Sequence, residues 1–329
     1  ISISAILLHL RLGKQPAQHI LNVQIPPLPG VIARAFSIGK IVAQRQQMIA
    51  LMVLIFMALV FFTLYEQTYG SWLTFTDRLM TKDMFPSLVS DASGTLPWSL
   101  FVMAASVPLM VLALRASDRG HRTLAGWSIG ALVATMAVAC FRDVVLVPQT
   151  AGSLTFLGSF FIVLLSPLFA WLWPWLEARG RNPGKPLKSA IGLLFAALSF
   201  LPLIAAAKVA GSGALASVWW LVLAYLILEI GEMCLSPIGL SAVTQLSVAR
   251  VVGLMMGGFW LATAYSEMLA AQFGKLASVD IPEGGTIDMA VAAARYGDLF
   301  QLLLWIGLGS ALLFLLLAPL LRRMMHGVK

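Results

Sequence analysis

Eight stretches of this chain are apolar over about the length a lipid bilayer demands, at roughly 45–66, 97–115, 123–142, 154–176, 187–208, 217–238, 251–272 and 298–320. A hydrocarbon core about 30 Å thick is crossed by about 20 helical residues rising about 1.5 Å each. Lipid offers no partner for backbone N–H and C=O groups, so such a segment must satisfy them within itself, as a helix does. The prediction is an all-α, polytopic transmembrane helix bundle. Composition agrees: 60% of the 329 residues are hydrophobic and 11% charged, against about 45–50% and about 25% in soluble domains.

Residues 1–11 supply at most a partial span, and ISISAILLHLRL reads as the tail of a helix, without an initiator Met or a signal peptide. The expectation is the later part of a longer protein. The segment 13–40, with its IPPLPG, is too polar and proline-rich to cross and reads as a linker near the membrane surface. The expected organisation is therefore 1–44 as the end of a preceding helix plus a cytoplasmic linker, and 45–329 as a transmembrane bundle.

The net charge is +8, which in a soluble protein would raise the question of nucleic acid. Here the basic residues fall in short loops between apolar runs, so no nucleic-acid partner is expected and the charge sets topology instead. Lys40 and Arg45, then Arg115, Arg119 and Arg122, then Arg179, Arg181, Lys185 and Lys188, then Arg250, and finally Arg322 and Arg323 all fall on one side if the spans alternate. The opposite loops, TKDMFPSLVSDASG and SVDIPEGGTID, are polar or acidic. The positive-inside rule then predicts a multi-pass topology with linker and C-terminus cytoplasmic; the expected location is the cell membrane, a bacterial inner membrane.

No enzyme chemistry stands out. Cys140 and Cys234 lie far apart inside apolar runs and read as free core thiols. His9, His19, His121 and His326 are scattered without ligand spacing, so neither a metal nor a cofactor is expected. The polar loops are too short for a catalytic domain, and no nucleophile–base pattern emerges.

Charge inside the membrane is the informative exception, because it is costly and usually faces a cavity or a partner. Glu66 lies in LYEQTYGSW, Glu267 in ATAYSEMLA, and Glu229 and Glu232 in LILEIGEMCLSPIGL. Arg142 and Asp143 form a neighbouring pair expected near a helix end, in a structural role. Glu267 is equally compatible with function and with structural hydrogen bonding. Glu229 and Glu232 are one turn apart and share a helix face. Pro237 removes one backbone hydrogen bond, from the Met233 carbonyl, and Gly231 and Gly239 permit close approach. Broken helices of this kind line transporter cavities; the alternative is a kinked helix whose acids are protonated and bonded to neighbours. Phe61, Phe62, Tyr65, Tyr69, Trp72, Phe259, Trp260 and Tyr265 accompany these acids.

The string EIGEMCLSPIGLSAVTQL resembles the tenth-helix motif of the proton-coupled oligopeptide transporters, a branch of the major facilitator superfamily. GLMMGGFWLATA is similar to that family's eleventh helix, FFTLYEQTYGSWLTFTDR to its seventh and FIVLLSPLFAWLW to its eighth, collinear from about residue 45 onward. The resemblance implies that Glu232 receives a peptide's amino group and that Glu66 takes up the coupling proton. It further implies substrate-binding positions at Phe62, Tyr65, Phe259, Trp260 and Thr263. An eighth-helix Asn that helps hold the peptide carboxylate is replaced by Gly158, next to Ser159, so carboxylate recognition there must differ. Glu229 and Glu267 stand where the family usually has neutral residues, which adds them to the candidate proton-coupling acids.

The implied fold is the superfamily's C-terminal six-helix bundle, with 97–115 and 123–142 forming an extra hairpin inserted after the seventh helix. The implied activity is proton-coupled symport of di- and tripeptides, with protons as coupling ion and no cofactor. Its partners would be the peptide, the lipid bilayer and an N-terminal six-helix bundle whose motifs do not occur in this sequence. The alternatives are a family member for nitrate, a modified amino acid or a drug, and a non-transporting membrane subunit that relays protons through the four glutamates.

Overall fold

A computed structural model of the chain describes residues 30–85, eight positions scattered between 102 and 115, and then 122–277 and 288–326. Contacts divide the chain into two units, Ile1–Val42 and Ala43–Lys329. All the packing that positions the site lies within the second.

The regular elements among the described residues are helical: α1 (Gly30–Tyr65), α2 (Ser71–Leu79), α3 (Arg122–Leu146), α4 (Phe156–Ala178), α5 (Lys185–Leu198), α6 (Phe200–Gly211), α7 (Trp219–Leu246), α8 (Val252–Leu276) and α9 (Met289–Met324). Among the described residues, six segments are long and apolar enough to cross a bilayer: Ile41–Leu79, Gly126–Leu146, Ser153–Ala178, Lys185–Gly211, Trp219–Leu246 and Met289–Met324. This is a multi-pass membrane protein.

Several expected spans take a different form. The first is longer than expected, because α1 already begins at Gly30, inside the stretch read as linker. It then tightens into a 3-10 turn at Glu66–Thr68 and re-enters helix at Ser71. The expected span 187–208 is two helices, α5 and α6, meeting at Ser199, whose hydroxyl donates to the Ala196 carbonyl. Such back-bonding offers the backbone an alternative partner and bends helices, and Pro202, one turn on, has no N–H with which to continue the ladder. Conversely, α7 runs unbroken from Trp219 to Leu246, so Pro237 does not divide it. The span expected at 251–272 is present as α8 but is not among those six segments, since its Gly, Trp, Tyr and Glu267 dilute its apolar stretch. The expected span 97–115 falls largely outside the described residues.

Caps explain where elements stop. Asp288 starts α9 by accepting the backbone N–H groups of Ala290 and Val291 at 2.9 and 3.3 Å, which satisfies donors that a helix start leaves orphaned. Arg322 and Arg323 occupy its last turn, where positive charge meets the negative end of the helix dipole. After α4, Gly180 takes φ +64°, a left-handed value suited to glycine, as the chain turns toward α5.

The bundle closes through small residues. A Cβ built at Gly231 of α7 would stand 2.6 Å from the Gly192 carbonyl of α5, and one at Gly192 would stand 2.7 Å from the Gly231 carbonyl. A Cβ at Gly307 of α9 would meet the Ala197 Cβ of α5 at 2.6 Å and Leu64 of α1 at 2.9 Å. Lipid is as apolar as leucine, so hydrophobicity does not bring helices together inside a membrane. Close backbone approach through small residues does.

Candidate functional site

The site is built where α1 ends. Phe61, Phe62 and Tyr65 lie on the last turns of α1, and Phe62 meets Phe259 of α8 edge-on at 6.5 Å between ring centroids. On the next turn the 3-10 segment is pinned to α8: buried Gln67 donates to the Ala270 carbonyl at 3.0 Å, and Ser71 donates to Gln67 Oε1 at 2.7 Å. This fixes the half-buried Glu66 beside α8, with Glu267 and Glu232 as its charged neighbours.

Across from Tyr65, α7 presents its two acids. Glu229 is 0% exposed and Glu232 half-buried. The Tyr65 hydroxyl donates to Glu229 Oε1 at 3.4 Å, and Glu229 and Glu232 stand one turn apart on the same face of α7. Gly158 of α4 forms the wall behind them. A Cβ there would stand 3.0 Å from Glu229 Oε1 and 3.6 Å from the ring of Tyr225. Oε2 of Glu229 and Oε2 of Glu232 are both buried without a hydrogen-bond partner. Among the described residues the ion pairs are Lys82–Asp77 and Arg142–Asp143, so none of the four glutamates has a basic partner.

The structure thus gathers Phe62, Tyr65, Phe259, Gly158, Glu229 and Glu232 around one region, with Glu66 adjoining it. Other expected site residues are exposed or engaged by their own helix. Ser159 is exposed while Gly158 beside it is buried, because neighbouring residues on a helix point about 100° apart. Trp260 and Glu267 are exposed on α8, and the Thr263 hydroxyl is engaged by its own helix, donating to the Phe259 carbonyl at 3.2 Å. The Arg142–Asp143 pair closes at 3.1 Å one turn before the end of α3, where the Asp143 carbonyl also accepts from Gln149.

Tyr225 was not singled out by sequence, yet it fills the floor of the site. It is 4% exposed, stacks edge-on against Trp72 at 5.3 Å and lies over Gly158. Its place four residues before Glu229 on the same helix face was the available signal. Gln67 was likewise missed; a buried amide clamping two elements leaves no periodic trace.

Chemically, the arrangement suits a cation. Several carboxyls without a basic partner, walled by aromatic rings, can accept an ammonium group or hold and release protons, and have nothing with which to neutralise an anion.

Residues 148–286 match the POT family model. Among similar curated proteins are an uncharacterised transporter, YclF, of Bacillus subtilis, 36% identical over 172 residues (52% of this chain and 32% of that protein), and dipeptide and tripeptide permease A of Erwinia pyrifoliae, 37% identical over 171 residues (51% and 33%). A third, the peptide transporter YePEPT of Yersinia enterocolitica, is 38% identical over 120 residues (36% and 24%). The chain spans about a third or less of the length of these relatives. Among solved structures it is similar to that of the peptide transporter POT in complex with sulfate, with TM-score 0.55 and 26% identity over 87% of this chain and 42% of that one.

Proposed function

We infer that this chain, which carries a POT-family domain over residues 148–286, forms the C-terminal bundle of a proton-coupled symporter of di- and tripeptides in a bacterial inner membrane. The observation that carries the reading is Glu232: a half-buried carboxyl with an unpartnered oxygen, on the α7 face that looks toward Tyr65. A peptide's free ammonium would supply the missing donor through a charge-assisted bond, roughly twice as strong as a neutral one. Phe62 and Phe259 would flank the bound peptide.

Glu66 is the proposed proton carrier, with Glu229 or Glu267 next in line. Its helix end is bulky and apolar, with Glu267 and Glu232 as its charged neighbours. A basic group from a second bundle would favour the charged form when the cavity opens, and that alternation is what coupling requires. The two bundles would rock about the midplane site. The hairpin formed by 97–115 and 123–142 is proposed as an insertion that leaves the orientation of all later spans unchanged.

In the full-length protein, Glu232→Gln is expected to abolish dipeptide uptake while leaving membrane insertion intact. Glu66→Gln is expected to lose accumulation against a gradient but keep counterflow exchange, since exchange needs no net proton release. A Glu66→Gln variant that still concentrates peptide under a pH gradient would move the coupling proton to another acid. Uptake of nitrate but not of peptides would replace the substrate class, an outcome that the absence of a basic partner for these acids among the described residues disfavours.

A further inference from the structure

Glu229 has a different environment from the other acids. It is fully buried even though the chain spans only part of its relatives, and it reaches no basic group among the described residues. Its charged neighbour is Glu232, and its other titratable neighbours are the phenols of Tyr65, Tyr69 and Tyr225; α4 presents Gly158 to it. An ionised carboxylate buried without a partner is strongly disfavoured, and two of them side by side more so. Both glutamates nevertheless have a buried oxygen with no donor, and they stand one turn apart on the same face of α7. One proton between them satisfies both at once.

We propose that Glu229 is held as a neutral carboxylic acid and acts as a positioning residue, its O–H donating to the Glu232 carboxylate and aiming that group at the substrate's ammonium, with Gly158 leaving the room this requires. The Tyr65 hydroxyl donates to Glu229 Oε1. That oxygen then serves as the acceptor side of the acid, which leaves the proton for Oε2, the oxygen without a partner. A hydrogen bond from a neutral donor favours the charged form of its acceptor, so the donor that orients Glu232 also favours the form that pairs with an ammonium. Glu229 is thereby removed from the coupling acids. Gly158 is the complementary half of the device, because a side chain there would meet Glu229 Oε1 at its first carbon.

The inference rests on the reading of Glu232 as the ammonium partner, so the experiment separates the two. Dipeptide binding is measured on the full-length protein in membranes, alongside infrared difference spectra at neutral pH. Glu229→Gln keeps a neutral donor of the same shape and should retain dipeptide affinity to within about threefold, while its spectrum loses a protonated-carboxyl band. Glu229→Ala should lose about tenfold or more, the value of a hydrogen bond to a charged group. Gly158→Asn alone should weaken binding by displacing Glu229. Added to Glu229→Ala it should recover affinity, since its amide offers a neutral donor from the opposite wall. Loss of affinity in Glu229→Gln as large as in Glu229→Ala, or no loss of the band, overturns the proposal. Failure of Gly158→Asn to improve Glu229→Ala overturns the spatial pairing of 158 with 229. If instead Glu232→Gln binds dipeptide as tightly as the unsubstituted protein, the ammonium reading itself falls; the infrared band still decides whether Glu229 is the neutral partner.

Discussion

The span that α5 and α6 form together and the span of α3 are both apolar enough to cross a bilayer, but they live in different surroundings. In the span Lys185–Gly211, which α5 opens, 61% of the most apolar window is buried within the protein; in Gly126–Leu146 of α3 the figure is 17%. On α3, Trp127, Val138 and Phe141 are 80%, 70% and 67% exposed, whereas α5 buries Ala190, Leu193, Ala196 and Ala197 almost completely. What separates them is contact geometry. Gly192 on α5 lies against the backbone of α7, while Gly126 and Gly130 on α3 have nothing within 4 Å of a built Cβ. Apolarity places a helix in the membrane, and complementary small residues decide whether it joins the bundle.

Substitutions should break this contrast in a graded way. The largest effect is expected from Gly231→Leu, whose side chain would have to pass through the Gly192 carbonyl. It should cost well beyond the usual 1–3 kcal/mol of overpacking, and size-exclusion profiles in detergent should show little monodisperse protein. Gly307→Ala adds one methyl against Ala197 and Leu64 and should cost about 1–3 kcal/mol, read as a lowered unfolding midpoint. Trp127→Ala, on a side chain that touches little protein, should cost less than about 0.5 kcal/mol. Gly130→Ala should cost nothing and gain up to about 1 kcal/mol from helix propensity. A Gly130→Ala protein as damaged as Gly307→Ala would mean that α3 packs against something as tightly as α5 does.

Topology offers a further check on the same two regions. In a background lacking Cys140 and Cys234, external labelling should modify Ser278→Cys and leave Ser117→Cys unmodified. The reverse pattern would remove the inserted-hairpin reading.

Much of the bundle was legible in the sequence because its signals are local. Span length, basic loops and the i, i+3 spacing of Glu229 and Glu232 all lie within one stretch of chain. The division of the span 187–208 at Ser199 was not legible, since hydroxyl back-bonding leaves no change in hydropathy. The continuity of α7 past Pro237 was also hidden, as neighbouring packing can hold a helix together after one lost bond. Glu229 and Glu267 looked alike as intramembrane acids, yet one is fully buried and the other exposed. Only tertiary contacts distinguish them. The pairing of Gly158 with Glu229 joins positions 71 residues apart, and a glycine announces nothing about what fills the space it leaves.

The central claim is that the Glu232 carboxyl reads a peptide's ammonium within a proton-driven cycle. The most direct measurement is pH-gradient-driven accumulation of a labelled dipeptide by the full-length protein in proteoliposomes, in competition with unlabelled dipeptide and with its N-acetylated form. The account predicts accumulation that collapses with the gradient, strong competition by the free dipeptide and weak competition by the N-acetylated one. Equal competition by both, or no gradient-dependent accumulation at all, would contradict it.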